Sequence, residues 1–122
     1  MNNKPIRLIV AGGRDFADYQ SLKTKLDYFL KDRRCDDIEI ISGTARGADQ
    51  LGERYAKERG LELVRCPAEW DKFGKRAGYL RNSHMATLAT HCVCAWDGSS
   101  SGTRHMINLA KSAGLDLRII DY

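Results

Sequence analysis

The chain has 122 residues, 43% of them hydrophobic and 30% charged, which fits a single folded domain over residues 1–122 and excludes a second core or a disordered polyelectrolyte. No apolar run approaches the ~20 residues that cross a bilayer, and Ile6 to Ala11 is too short for a secretory signal, so a cytoplasmic protein with no membrane partner is expected. A net charge of +4 fits a small anionic ligand or weak nucleic-acid contact, and the placement of that charge matters more than its sum.

Pro5 to Ala11 is a β-rich run ending at Gly12-Gly13, the pattern of a buried first strand that enters a tight turn. From Tyr19 to Asp32, the residues Leu22, Leu26, Phe29 and Leu30 recur at helical spacing. Asp37 to Ile41 is the second strand, closed by Ser42-Gly43. Gly47 to Arg59 then sets Ala48, Leu51, Tyr55 and Ala56 on one helical face, with Gly60 as the stop. Leu61 to Arg65 is a third strand that Pro67 keeps from continuing. After a connection from Cys66 to Gly74, a helical pattern runs from Lys75 to Thr90.

His91 to Trp96 is the fourth strand, with Cys92 and Cys94 on one of its faces. Together with Cys35 and Cys66 they form no pair of zinc half-sites. They are read as reduced, packed side chains, and no metal or cofactor is expected. A polar turn from Asp97 to Gly102 leads to a helix beginning at Thr103, with Met106, Ile107 and Ala110 on its apolar face. Leu115 to Ile120 is the last strand.

Such alternation requires crossover helices. It predicts an α/β fold of the Rossmann-like three-layer α/β/α kind, with a mostly parallel five-stranded sheet in the order 3-2-1-4-5. The order reverses between the first and fourth strands, and ligands of open α/β sheets bind in that crevice, at the carboxyl ends of the strands. Four loops meet there. The first offers Gly12 and Gly13 for a sharp turn and Arg14 as a fork of donors for phosphate or carboxylate, followed by Asp15. The second supplies Ser42, Gly43, Thr44 and Arg46 before a helix start whose backbone N–H groups suit an anion, with Asp49 in its first turn. The third brings Glu69, Trp70 as a stacking or core-capping aromatic, and Lys75, Arg81 and Asn82 along one helical side; Gly78 hints at a close approach. The fourth, with Asp97, Ser99, Gly102 and Thr103, has the glycines and hydroxyls of a phosphate cradle but lacks the Gly-Lys-Ser/Thr ending of a P-loop. Each loop taken alone also reads as ordinary turn and capping chemistry; their common edge favours an anion site.

The succession Ala-Gly-Gly-Arg-Asp-Phe (11–16), Ser-Gly-Thr-Ala-Arg-Gly-Ala-Asp (42–49), Gly-Lys-Arg-Ala-Gly-Tyr-Leu-Arg-Asn (74–82) and Trp-Asp-Gly-Ser-Ser-Ser-Gly-Thr-Arg-His-Met-Ile (96–107) resembles the YspA-type, YpsA-related branch of the SLOG superfamily. The resemblance runs from Arg7 to about Ala113. It implies a Rossmann-like fold and a site for nucleotide-derived ligands. Relatives include phosphoribohydrolases that release a base from a nucleoside monophosphate, sensors of NAD- or ADP-ribose-related signals, and DprA-like proteins that bind single-stranded DNA. Two departures stand out. Thr44 replaces the usual middle glycine of the second loop; it is strained if φ there is positive and otherwise adds a donor. The phosphoribohydrolase signature Pro-Gly-Gly-x-Gly-Thr-x-x-Glu aligns with Gly98 to Met106, which puts Met106 where the glutamate would be.

The expected function is binding or sensing of a phosphate-bearing nucleotide-derived ligand (a nucleotide, an ADP-ribose or NAD-like molecule, or a cyclic derivative), with Arg46 and Arg81 clamping its phosphate beside Gly102-Thr103. The alternative is an N-glycosidic hydrolase, its carboxylate drawn from Asp15, Asp49, Glu69 or Asp97. A second alternative is single-stranded DNA binding of the DprA type, ranked lower because few aromatics line the edge. A homo-oligomer is expected, with helix faces carrying Tyr28 and Phe29 or Tyr79 and Met85 as its surfaces.

Overall fold

The computed structural model describes residues 5–122. Five strands, β1 (Ile6–Gly12), β2 (Ile38–Ser42), β3 (Glu62–Arg65), β4 (His91–Trp96) and β5 (Asp116–Asp121), form one sheet in the order β3-β2-β1-β4-β5, with every neighbouring pair parallel. β1 is central: Ile6 lies beside Ile38 on one flank, and Leu8 beside His91 on the other. Five α-helices complete the fold: α1 (Tyr19–Phe29), α2 (Ala48–Arg59), the single turn α3 (Trp70–Phe73), α4 (Ala77–Leu88) and α5 (Ser101–Ser112). This is the Rossmann-like three-layer arrangement, with the expected strand order.

The layers follow from the two-residue period of β1. Ile6, Leu8 and Val10 pack with Leu22 and Leu26 of α1 and Tyr55 and Ala56 of α2, whereas Ile9 and Ala11 pack on the other face with Met85 and Ala86 of α4 and Met106, Ile107 and Ala110 of α5. A parallel sheet covered on both faces needs such unbroken apolar strands. Cys92 and Cys94 belong to the second core, fully buried with their Sγ atoms 3.6 Å apart. No helix among the described residues is long and apolar enough to cross a membrane. Of the residues named for self-association, Tyr28 and Tyr79 are exposed, while Met85 is core and Phe29 packs against it from the rim.

The helix ends differ from the sequence reading, each for a local reason. α1 ends at Phe29: the Leu30 N–H still closes an α-helical bond to the Leu26 carbonyl at 2.9 Å, but the Lys31 N–H steps to the Tyr28 carbonyl at 3.4 Å, and the charged run that follows leads to a 3-10 turn at Cys35–Asp37. The connection after β3 contains α3 and a 3-10 turn at Gly74–Arg76, so α4 begins at Ala77 rather than Lys75. α5 begins two residues before Thr103 because Ser100 is its N-cap; the Ser100 Oγ accepts from the Thr103 N–H at 3.4 Å.

The start of α2 is fixed by backbone contact. Gly47 has φ 79°, and a β-carbon there would stand 2.2 Å from the Gly13 carbonyl oxygen. The next residue, Ala48, donates its N–H to that same oxygen at 3.2 Å. Thr44, three residues earlier, also has φ 67°, so the β-branched side chain is strained, as its replacement of glycine implied. Opposite outcomes follow for two substitutions, read as urea midpoints. Gly47→Ala should destabilise by about 3–5 kcal/mol through clash and strain. Thr44→Gly should stabilise by about 0.5–1 kcal/mol, the relief of a left-handed β-branched residue less the entropy glycine adds to the unfolded chain.

Candidate functional site

At the carboxyl ends of β1 and β4, where the strand order reverses, lies a crevice of about 420 Å³. Each crossover contributes to it. The β1 loop supplies Gly12, Gly13, Arg14 and Asp15, the β2 loop Ala45 and Asp49, α4 Arg81 and Asn82, and the β4 loop Asp97, Ser100, Gly102 and Thr103. Met85 and Met106 form its apolar floor.

Arg81 is the pivot of one wall. Its Nη1 donates to the Gly43 carbonyl and its Nε to the Asn82 side-chain oxygen at 2.9 Å. Asp49 shares this space: a β-carbon at Gly43 would stand 2.7 Å from Arg81 Nη1 and 2.8 Å from Asp49 Oδ2. The Asp49 carboxylate is buried, accepts from the Ala45 N–H at 3.1 Å, and is pushed up to about 6 by loss of solvent; the Ala45 hydrogen bond and the Arg81 charge pull the other way. Burial likewise lowers the affinity of Arg81 for its proton, and Asp49 offsets it. Asn82 ties this wall to α5, since its Nδ2 lies 3.4 Å from both the Gly102 carbonyl and His105 Nδ1.

Two further carboxylates line the crevice. Asp97 Oδ1 accepts from the backbone N–H groups of Ser99 and Ser100, both at 2.9 Å, and these bonds hold its carboxyl below the usual range. Asp15 accepts from the hydroxyl of Tyr122, which burial and this bond push up to about 12. The first turn of α5 also lines the crevice, through Gly102 and Thr103, and helix starts leave backbone N–H groups without intrahelical partners.

The remaining residues singled out from sequence lie elsewhere. Arg46, Trp70, Gly43 and Thr44 line an adjoining depression of about 350 Å³, which shares Arg14, Ala45 and Arg81 with the crevice. Arg46 is thus not on the wall beside Gly102-Thr103. Glu69 lies on a third depression between β3 and α4. Lys75 is exposed in the 3-10 turn before α4 and lines none of these spaces. Ser42 is fully buried, donating to Glu53 at 2.6 Å and accepting from the Thr44 N–H at 3.0 Å, so its hydroxyl is committed to the loop. Ser99 serves Asp97. Other participants were missed, Ala45 and Met106 among them. Met85 could have been found one turn beyond Arg81 on α4, and Ser100 as a helix cap. Tyr122 gave no sequence signal; it arrives because Trp96 of β4 lies beside Asp121 of β5. Among the described residues no cluster of three or more His, Cys, Asp or Glu could hold a metal ion.

Comparisons with known proteins identify the family and match the fold. A sequence model of the family described as "YspA, cpYpsA-related SLOG family" matches residues 6–73. The Gene 61 protein of Mycobacterium phage D29 is 33% identical over 117 residues, covering 89% of this chain and 91% of that protein. The X-ray structure of DNA processing protein A (DprA) from Streptococcus pneumoniae is similar with a TM-score of 0.75 at 17% identity, over 95% of this chain and 50% of that one. DprA from Helicobacter pylori, whose structure concerns a single-stranded DNA binding mode, gives 0.66 at 17% identity, over 96% and 66%. The chain therefore spans half of the first DprA and about two thirds of the second, and at this identity the likeness is one of fold.

The buried Asp49 has a signature in stability. A carboxyl whose folded value is raised from 3.8 to about 6 favours folding most below pH 4, and that contribution is lost as pH rises through 6. The full span is ~3 kcal/mol. Unfolding free energies of the native protein and Asp49→Asn from pH 4 to 8 should diverge across this window, with the native chain losing ground and the difference levelling off above pH 7. A flat difference would show that Asp49 titrates normally.

Proposed function

Because the chain belongs to the YspA, cpYpsA-related SLOG family, we propose that the β1/β4 crevice binds the phosphate and sugar of a nucleotide-derived ligand. One observation carries this reading: a single crevice is lined both by the guanidinium groups of Arg14 and Arg81 and by the carboxylates of Asp15 and Asp97. A bare anion would be served by Arg14, Arg81 and the α5 start, and Asp15 and Asp97 would repel it. A sugar phosphate needs both, since carboxylates accept from ribose hydroxyls while guanidinium groups and helix N–H groups take the phosphate.

Arg14 is the cleaner probe of this site, because Arg81 also holds the Gly43 carbonyl and its loss would disturb the fold. Arg14 is exposed and has no carboxylate within ion-pair distance among the described residues. Calorimetry with AMP should give Arg14→Ala a penalty of ~1.5–3 kcal/mol, or ~10- to 150-fold, with an unchanged denaturant midpoint. Adenosine, lacking phosphate, should bind far more weakly than AMP. Affinity within twofold for the variant, or equal affinity for adenosine, refutes the phosphate assignment.

Hydrolysis of the N-glycosidic bond is the second reading, favoured by the three carboxylates on the crevice. Against it, Met106 is buried on the floor at the position that aligns with the glutamate of the phosphoribohydrolases and brings no acid or base. AMP incubated with the protein should remain intact. Chromatographic detection of free adenine would move the chemistry to Asp15, Asp49 or Asp97.

A further inference from the structure

The depression beside the crevice has a composition that the crevice lacks. Arg46 and Trp70 lie there next to Arg14 and Arg81, and because these last two arginines line both spaces, the two are lobes of one surface. Among the described residues neither Arg14 nor Arg46 has a carboxylate within ion-pair distance, so neither guanidinium is tied up in a salt bridge. Trp70 is 49% exposed, and its edge rests on α4, where a β-carbon at Gly78 would stand 3.4 Å from Cη2. A β-carbon at Gly78 would make only ordinary van der Waals contact with the indole, so Trp70 touches α4 while half of its surface stays open to solvent. An exposed indole beside guanidinium groups suits a stacked base whose phosphate lies against the arginines.

We propose that this outer lobe is a subsite for a second phosphate and its base, so that the ligand class is a dinucleotide with two phosphates, one in each lobe: two nucleosides joined through pyrophosphate, or through one phosphate with the second at the 5′ end. The inference rests on the nucleotide reading of the crevice. At about 420 Å³ the crevice is near the lower end of small-molecule sites, which run from ~300 to 1,000 Å³. A mononucleotide there leaves Arg46 and Trp70 without a role. A longer nucleic-acid strand would need more stacking and basic groups in line with Trp70. Exposed Glu69 and Asp71 flank Trp70 and exposed Lys72, Lys75 and Arg76 follow, so a hexa-adenylate decides between a dinucleotide and a strand.

Calorimetry with AMP, NAD, 5′-phosphorylated diadenylate and a hexa-adenylate tests this on the intact protein and on Arg46→Ala and Trp70→Ala. NAD or the diadenylate should bind at least ~10-fold more tightly than AMP, and the hexa-adenylate should gain nothing beyond the diadenylate. Each variant should remove most of that gain and leave AMP within twofold. Folding should be unaffected, since both side chains are exposed. Equal affinity for AMP and both dinucleotides overturns the outer subsite while leaving the crevice reading intact. So does an equal loss of AMP binding in the variants. Affinity that keeps climbing to the hexa-adenylate also overturns it, in favour of a strand. Failure of AMP itself to bind removes the crevice reading, and the outer lobe falls with it.

Discussion

A guanidinium taken half out of water costs several kcal/mol unless polar groups surround it, and Arg81 is in that position. Its partners are the Gly43 carbonyl, the Asn82 side chain and the nearby Asp49 carboxylate, drawn from the second loop, α4 and α2. The loop that offers Arg81 the Gly43 carbonyl also commits Ser42 to Glu53 and holds Thr44 in a left-handed conformation. It also keeps Asp49 buried at the first turn of α2. The shape of the carboxyl edge on both sides of Arg81 is therefore set by how one charge is solvated by protein instead of water.

Much of this fold was legible before any coordinates. Strand order follows from alternation and from where apolar runs are continuous, as in Ile6 to Ala11, because a parallel sheet buried on both faces tolerates little else. Arg14, Arg81, Asn82, Asp97, Gly102 and Thr103 were placed on the common edge by chain order alone, and all line the crevice. What could not be read was lateral position along that edge. Arg46 lies four residues after Ser42, yet the turn through Thr44 and Gly47 carries it to the outer lobe, a backbone property that no side-chain pattern encodes. Tyr122 depends on strand register, a pairing between residues far apart in sequence. Gly78 was legible as an anomaly but not as the seat of Trp70.

Likeness to DprA at 17% identity speaks for the frame and leaves its use open. Frames of this kind host different activities by changing loop residues while the sheet stays the same. In this chain the distinguishing positions are few. Met106 makes the crevice floor apolar where an acid would be needed for hydrolysis, and Trp70 puts an aromatic on its rim.

The Gly13 carbonyl accepts two N–H groups at 3.2 Å, from Phe16 of its own loop and from Ala48 of the next. The first two loops are thereby fastened together before anything binds, while the outer lobe borrows Trp70 from an exposed single-turn helix. Ordering costs at such a floor are already met, so little of the binding free energy is spent on immobilising backbone there. On the proposed reading this division separates arrival from retention: the arginines and the indole would set how often a ligand is captured, and the preassembled loops how long it stays.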